Sequence, residues 1–277
     1  MTRWIVLGAG YTGRRVAQAL VARGDVVVIT RRSRALADAA ALGVRGVELD
    51  LADAGATAAL AALLRYDDLV VDTAPPMDEH GTGEAKLAAA ATAASVRRII
   101  YLSSTGVYAP AFGGWVDEDF LLAPTTNAGW ARLAAEQALA AGTTWCVRLR
   151  VAGIHGPGRG VIARLRAGTY RLIGDGSTQV SRIHVDDLVA CVLAAGDAAA
   201  PGQIYNVADD EPCTSRELAN AAAAHLGLPP PPWVPLDSVD AEVAGMVTAD
   251  RRIDNRRLKR DLGVWLRHPS WRSALDE

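Results

Sequence analysis

An α/β protein built on one doubly wound parallel sheet is predicted by three features of the sequence. Short β-rich runs alternate with alanine-rich helical stretches along the 277 residues, the order that gives βαβ units with right-handed crossovers. The β-rich runs are continuously apolar rather than alternating, which marks strands buried on both faces. A glycine-rich turn separates the first such run from the first helical stretch.

The elements follow in order. Trp4-Ile5-Val6-Leu7 is a first strand, and Tyr11 to Arg23 is a helix with Val16, Ala19 and Leu20 on one face. Val26 to Ile29 is a second strand, Val47 to Leu49 a third, and Leu69-Val70-Val71 a fourth. Arg98 to Leu102 is a fifth and Trp145 to Leu149 a sixth. After Gly153 the rhythm changes. Gly156-Pro157-Gly158, Gly174-Asp175-Gly176 and Pro229 to Pro232 lengthen the loops, and the proline run reads as an extended connector. The expected organisation is a sheet domain over residues 1–153 and a small C-terminal lobe over 154–277, with some segments returning to the sheet.

Half of the residues are hydrophobic and the net charge is −2 at pH 7. That balance argues against a nucleic-acid or membrane-surface partner. Cys146, Cys191 and Cys213 are odd in number and widely spaced. They fit neither a disulfide framework nor a metal site and point to a reducing cytoplasm. No secretory leader and no apolar run long enough to span a bilayer is legible. His184 with Asp186 and Asp187 reads as a helix start whose carboxylates cap free N–H groups. A metal needs three or four converging ligands, and none is expected. Asp117, Glu118 and Asp119 read as a solvated acidic loop. Arg251, Arg252, Arg256 and Arg257 read as a basic helix face balanced by Asp250, Asp254 and Asp261. The helix from Leu87 to Ala94 suits either the core or a second subunit, so a homodimer is one option.

Gly8-Ala9-Gly10-Tyr11-Thr12-Gly13 is a G-x-G-x-x-G that directly follows a strand and opens a helix. The first glycine allows the tight turn, the second lets a pyrophosphate approach the backbone, and the third lets helix and strand pack closely. The helix N-terminus offers N–H groups and partial positive charge to the phosphates. A dinucleotide is therefore the expected cofactor, with Gly8, Gly10, Tyr11, Thr12 and Gly13 around it. At the tip of the second strand, Thr30-Arg31-Arg32-Ser33 carries no carboxylate for the ribose hydroxyls. Arg31 and Arg32 can instead fork onto a 2′-phosphate, so NADP is expected in preference to NAD. Asp50 and Leu51, after the third strand, are placed to contact the adenine. Thr73, Ala74 and Pro75, after the fourth, are placed to line the cofactor cleft.

Together these residues resemble the extended short-chain dehydrogenase/reductase superfamily, the NAD-dependent epimerase/dehydratase group, over nearly the whole chain. Tyr101-Leu102-Ser103-Ser104-Thr105-Gly106-Val107-Tyr108 is similar to the family's fifth strand and active-site serine segment. Arg148 to Gly158 is similar to its sixth strand and the loop beside the nicotinamide, with His155 where a tyrosine is commoner. Arg182 to Leu188 is similar to the entry to a late helix, and Tyr205 to Ala208 to a late strand. The resemblance implies a Rossmann fold with a C-terminal substrate lobe, and cofactor contact at Ser103.

It also implies a Tyr-x-x-x-Lys pair, in which tyrosine exchanges a proton with the substrate while hydride moves to or from the nicotinamide. No such pair occurs here. Lys86 and Lys259 are the only lysines, and neither follows a tyrosine by four. Placed from Leu133 to Glu136, the helix puts Ala128 at the tyrosine position and Arg132 at the lysine position, as in the atypical branch of the superfamily. Arginine stays charged near neutral pH and binds anions, but it is a poor proton shuttle.

Two functional expectations follow. The first is an NADP(H)-dependent oxidoreductase or epimerase-like enzyme acting on a small carbonyl compound or a sugar-nucleotide derivative. Ser104 would bond the substrate oxygen, Arg132 the cofactor or a substrate anion, and Tyr108 or His155 would donate the proton, although a packed Tyr108 with a wet hydroxyl is the simpler reading. The second is a non-catalytic NADP(H)-binding or redox-sensing protein, which explains the missing pair directly.

Overall fold

The computed structural model describes residues 1–31, 37–142 and 145–275. The chain begins with strand β1 (Arg3–Leu7), helix α1 (Tyr11–Ala22), β2 (Val26–Arg31), α2 (Ala37–Ala41), β3 (Arg45–Glu48), α3 (Ala56–Leu63), β4 (Leu69–Asp72), α4 (Thr82–Ala94) and β5 (Arg98–Ser104). β6 (Trp115–Val116), α5 (Asn127–Gly142), β7 (Cys146–Val151), β8 (Gly153–His155), α6 (Val161–Arg166), β9 (Leu172–Ile173), β10 (Gln179–Val180) and β11 (Arg182–His184) follow. The remainder is α7 (Val185–Ala198), β12 (Ile204–Val207), β13 (Cys213–Thr214), α8 (Ser215–His225), β14 (Trp233–Val234), α9 (Ala241–Val247), β15 (Arg252–Ile253) and α10 (Arg256–Leu262).

Seven strands form one sheet in the order β12-β7-β5-β4-β1-β2-β3. β1 pairs in parallel with β2 and β4, β2 with β3, and β4 with β5. The order reverses at β1, the switch point at which open α/β sheets bind ligands beyond the carboxyl ends of their strands. The predicted doubly wound Rossmann sheet is thus the observed one. β4 is buried at every residue and β1 at all but its first, which is why their sequences show no alternation.

The chain divides into two compact units. The first comprises Met1–Ser103, Ala131–Leu149 and Val189–Tyr205; the second comprises Ser104–Trp130, Arg150–Leu188 and Asn206–Glu277. In the first unit, one core joins Ile5, Val28, Val70 and Ile99 of the sheet to Leu60, Leu87, Ala135 and Leu139 of α3, α4 and α5. Leu87, Ala88 and Ala91 of α4 are spent on this core. On α7, a Cβ at Gly196 would lie 2.1 Å from the Trp4 ring, so glycine is what lets helix and indole touch. Arg98 Nη1 donates to the Ala195 carbonyl at 2.8 Å. Among the described residues no helix is long and apolar enough to cross a membrane.

The second unit is held by polar side chains buried together. Tyr108 Oη donates to Asn206 Oδ1 at 2.7 Å and accepts from Arg150 Nη1 at 3.1 Å. Glu118 Oε1 accepts from the Asn206 N–H at 2.8 Å. Three expectations change here. Tyr108 is fully buried with its hydroxyl bonded rather than wet. In the acidic loop, Glu118 is buried and only its neighbours face water, with Asp119 pairing to Arg257. The basic face is limited to α10: Arg252 lies in β15, and Arg251 is buried with its guanidinium on the carbonyls of Ala109, Thr105 and Tyr108. Four arginines in seven residues look alike along the chain, and only packing separates the buried one.

Candidate functional site

The glycine turn sits where β1 ends. Gly8 has φ +93°, a conformation that L side chains rarely adopt, and a Cβ there would lie 2.9 Å from Thr73 Oγ1. Thr73 Oγ1 lies 3.0 Å from the carbonyl oxygens of Leu7 and Gly8, both of which accept from it, tying the turn to the end of β4. A Cβ at Gly13 would lie 1.9 Å from the Gly8 carbonyl oxygen, so glycine at this position lets α1 rest on the turn. Gly10 differs from both. It starts α1 at φ −79° and ψ −163°, and a Cβ there would meet nothing within 4 Å. Among the described residues, no neighbour requires glycine at position 10.

A cleft of about 290 Å³ opens at this point, lined by Leu7, Gly8, Ala9, Gly10, Thr30, Leu49, Asp50, Leu51, Thr73, Ala74, Pro75 and Met77. Gly8, Gly10, Asp50, Leu51, Thr73, Ala74 and Pro75 from the sequence reading meet here. Thr12 and Gly13 lie in the first turn of α1 outside the lining, and Tyr11 stacks against the Arg15 guanidinium, 3.8 Å from the ring centroid. Ser103 is buried and donates to Glu136 Oε1. Arg32 lies outside the described residues, and of Arg31 only the backbone at the end of β2 is described. Leu7, Ala9, Thr30, Leu49 and Met77 were not among the expected contacts. Thr30 and Leu49 follow from counting one residue back from predicted contacts, whereas nothing near Met77 marks it.

These lining groups fit a dinucleotide. Backbone amides at the start of a twelve-residue helix suit a diphosphate, the space at Gly10 leaves it room, and Leu49, Leu51 and Met77 offer apolar surface to a flat base.

Ala128 and Arg132 lie one turn apart on α5. Ala128 is exposed. Arg132 Nη1 donates to the Ala74 carbonyl and Tyr101 Oη, each at 3.2 Å, and to the Leu102 carbonyl. It thereby braces the ends of β4 and β5. Burial pushes the Tyr101 phenol far above its ordinary range, against the pull of Arg132, so Tyr101 is a neutral hydrogen-bonding group.

In the second unit, Ser104 Oγ accepts from the Gly106 N–H at 3.0 Å. His155 stacks edge-on against His184, with ring centroids 5.4 Å apart. Burial first, then the neighbouring His184, Arg182 and His268 side chains, lowers the His155 imidazole to about 4. His184, Asp186 and His268 each bring one ligand atom within 4.8 Å of the others. His184 Nδ1, however, already accepts from the Asp186 N–H at 3.2 Å. Asp187 does not cap its own helix as expected. Its two oxygens accept from the N–H groups of Arg267 and His268 at 2.7 and 2.8 Å, fastening a segment eighty residues away.

The fold and the turn place the chain among dinucleotide-binding α/β proteins. It belongs to the NAD dependent epimerase/dehydratase family, whose profile matches residues 4–208. A 3-diazoavenalumate denitrifying reductase from a Streptomyces species is 33% identical over 210 residues, 70% of this chain and 68% of that protein. A 2-alkyl-3-oxoalkanoate reductase from Stenotrophomonas maltophilia is 30% identical over 253 residues, 80% and 74% of the two chains. The solved structure of a functionally unknown conserved protein from Silicibacter pomeroyi DSS matches with a TM-score of 0.85 at 32% identity, covering 100% of this chain and 97% of that one.

Proposed function

We propose that the protein is an NADP(H)-dependent oxidoreductase that reduces a small carbonyl compound. The observation that carries this reading is the cleft at Gly10, where among the described residues a Cβ would meet nothing and a ligand has room. Its relatives include two proteins named as reductases, one of them for an oxoalkanoate. A keto acid is accordingly favoured over a sugar nucleotide. NADP is favoured over NAD because the tip of β2 carries arginine and no carboxylate.

When bound, the reduced cofactor supplies a hydride equivalent to a carbonyl carbon. Gly8 and Gly10 seat the diphosphate, and Arg132 holds the strand ends that carry Ala74 and Leu102. Ser104 Oγ is already an acceptor from Gly106, so its O–H is left to donate to the carbonyl oxygen. Ala128 has no proton to give, Tyr108 is committed to Asn206, and His155 is neutral at pH 7. The proton completing the product hydroxyl is drawn from solvent.

A second reading, a non-catalytic NADP(H)-binding or redox-sensing protein, is favoured by Ala128 itself. Fluorescence titration with NADPH and NADH, then NADPH oxidation with aldehydes, ketones, 3-oxo acids and UDP-glucose, separates the two. NADPH is expected to bind about tenfold more tightly than NADH, a difference of ~1.4 kcal/mol. Turnover is expected with a 3-oxo acid, falling about a hundredfold in Ser104→Ala. Cofactor binding without turnover on any compound overturns the first reading in favour of the second.

A further inference from the structure

The second unit contains a pocket of its own, about 420 Å³, to which the reading above assigns no role. Its walls include Val161, Ile162, Leu218, Ala222, Trp271 and Leu275. Four nitrogen-bearing side chains also line it, His155, Arg159, Arg166 and Arg182. β8 and β11 pair in parallel with Gly153 opposite Arg182 and His155 opposite His184. Alternation along the two strands puts Gly153, His155, Arg182 and His184 on one face.

Gly153 is what admits the arginine. A Cβ there would lie 2.4 Å from Arg182 Nη1 and 3.2 Å from its Cδ, so the side chain lies flat across the glycine. Arg182 Nε is buried without a hydrogen-bond partner, and so is His155 Nε2. Among the described residues, no carboxylate forms an ion pair with Arg182. Asp209 is buried, and burial pushes its carboxyl up to about 8 against the pull of Arg182. A buried guanidinium N–H without a hydrogen-bond partner is unfavourable and persists where a ligand completes the site. Arg159 and Arg166 line the pocket as well and are exposed.

We infer that this pocket binds the carboxylate of a small, otherwise apolar substrate, with the Arg182 guanidinium and His155 Nε2 holding the carboxylate oxygens and the apolar wall holding the body. This deepens the carbonyl-reductase reading and rests on it for the word substrate; carboxylate binding itself requires no turnover. A nucleotide diphosphate would bring a polar sugar against walls that include Val161, Ile162, Leu218 and Trp271.

Calorimetry on the whole chain tests this with octanoate, its neutral counterpart octanamide, and UDP-glucose as probes. Octanoate is expected to bind at least about tenfold more tightly than octanamide, the value of one charge-assisted hydrogen bond. Arg182→Met is expected to abolish that preference while NADPH affinity stays unchanged. Gly153→Ala, which displaces the guanidinium without removing it, is expected to weaken octanoate as well. Equal binding of octanoate and octanamide by the unaltered protein overturns the inference, whatever the variants do. Arg182-dependent binding of UDP-glucose in preference to octanoate overturns it too, in favour of a nucleotide diphosphate. Turnover of neutral ketones with no preference for keto acids would sink this inference and leave the oxidoreductase reading standing.

Discussion

Replacing Gly10 and Gly13 separately with alanine distinguishes a residue kept for a ligand from one kept for the fold. At Gly13 the added Cβ would lie 1.9 Å from the Gly8 carbonyl oxygen, where ordinary contact begins near 3.4 Å. α1 would have to retreat by about 1.5 Å from a packed sheet, an overpacking strain of about 1–3 kcal/mol. At Gly10 the Cβ meets nothing within 4 Å, and φ −79° suits alanine. Its fold should be as stable as the parent or gain about 0.4–1 kcal/mol from a stiffer unfolded chain. A diphosphate crossing that spot, however, is pushed off the amides of α1. Losing one charge-assisted hydrogen bond of about 1.5–3 kcal/mol weakens binding by about 10- to 150-fold. Thermal melting and NADPH fluorescence titration read the two effects. Gly10→Ala should melt within about 2 °C of the parent and bind NADPH at least about tenfold more weakly. Gly13→Ala should lose stability first. Undiminished NADPH affinity in Gly10→Ala would refute the placement of the cofactor over the turn.

Three further outcomes are expected. Arg132→Met strands the Tyr101 hydroxyl and the Leu102 carbonyl, which should cost about 2–4 kcal/mol in denaturant unfolding; an unchanged midpoint would show that Arg132 does not brace the strand ends. Asp187→Ala removes the acceptor of two backbone N–H groups and should cost about 2–4 kcal/mol, with faster hydrogen exchange at Arg267 and His268; unaltered exchange there would count against the tether. Asp209 has its folded pKa raised to about 8 from 3.8 by burial, then by Asp210. The folded state therefore holds a proton that the unfolded state releases between those values, and stability falls as pH rises through that window, by at most about 6 kcal/mol. Asp209→Asn should raise the melting temperature more at pH 8 than at pH 5, and an equal gain at both would refute the assignment.

The glycine turn and the alternation of strands with helices were legible because both are short-range. An apolar run buried on both faces and a turn needing φ > 0 leave marks within a few residues. Seven of the expected cofactor contacts meet in one cleft for the same reason: in this topology a strand's carboxyl end identifies its loop. The roles of the polar side chains were not legible. Tyr108 read as wet, yet its partner Asn206 lies 98 positions away.

The sequence by itself therefore determined the sheet and the glycine turn, since backbone periodicity and glycine spacing are local properties. Only the tertiary structure decided which charges are buried. Arg251 is held on backbone carbonyls while Arg256 pairs with Asp254 at the surface, Asp187 leaves its own helix for Arg267 and His268, and Arg182 lies across Gly153. Desolvation and pairing depend on neighbours that the chain brings together only when it folds.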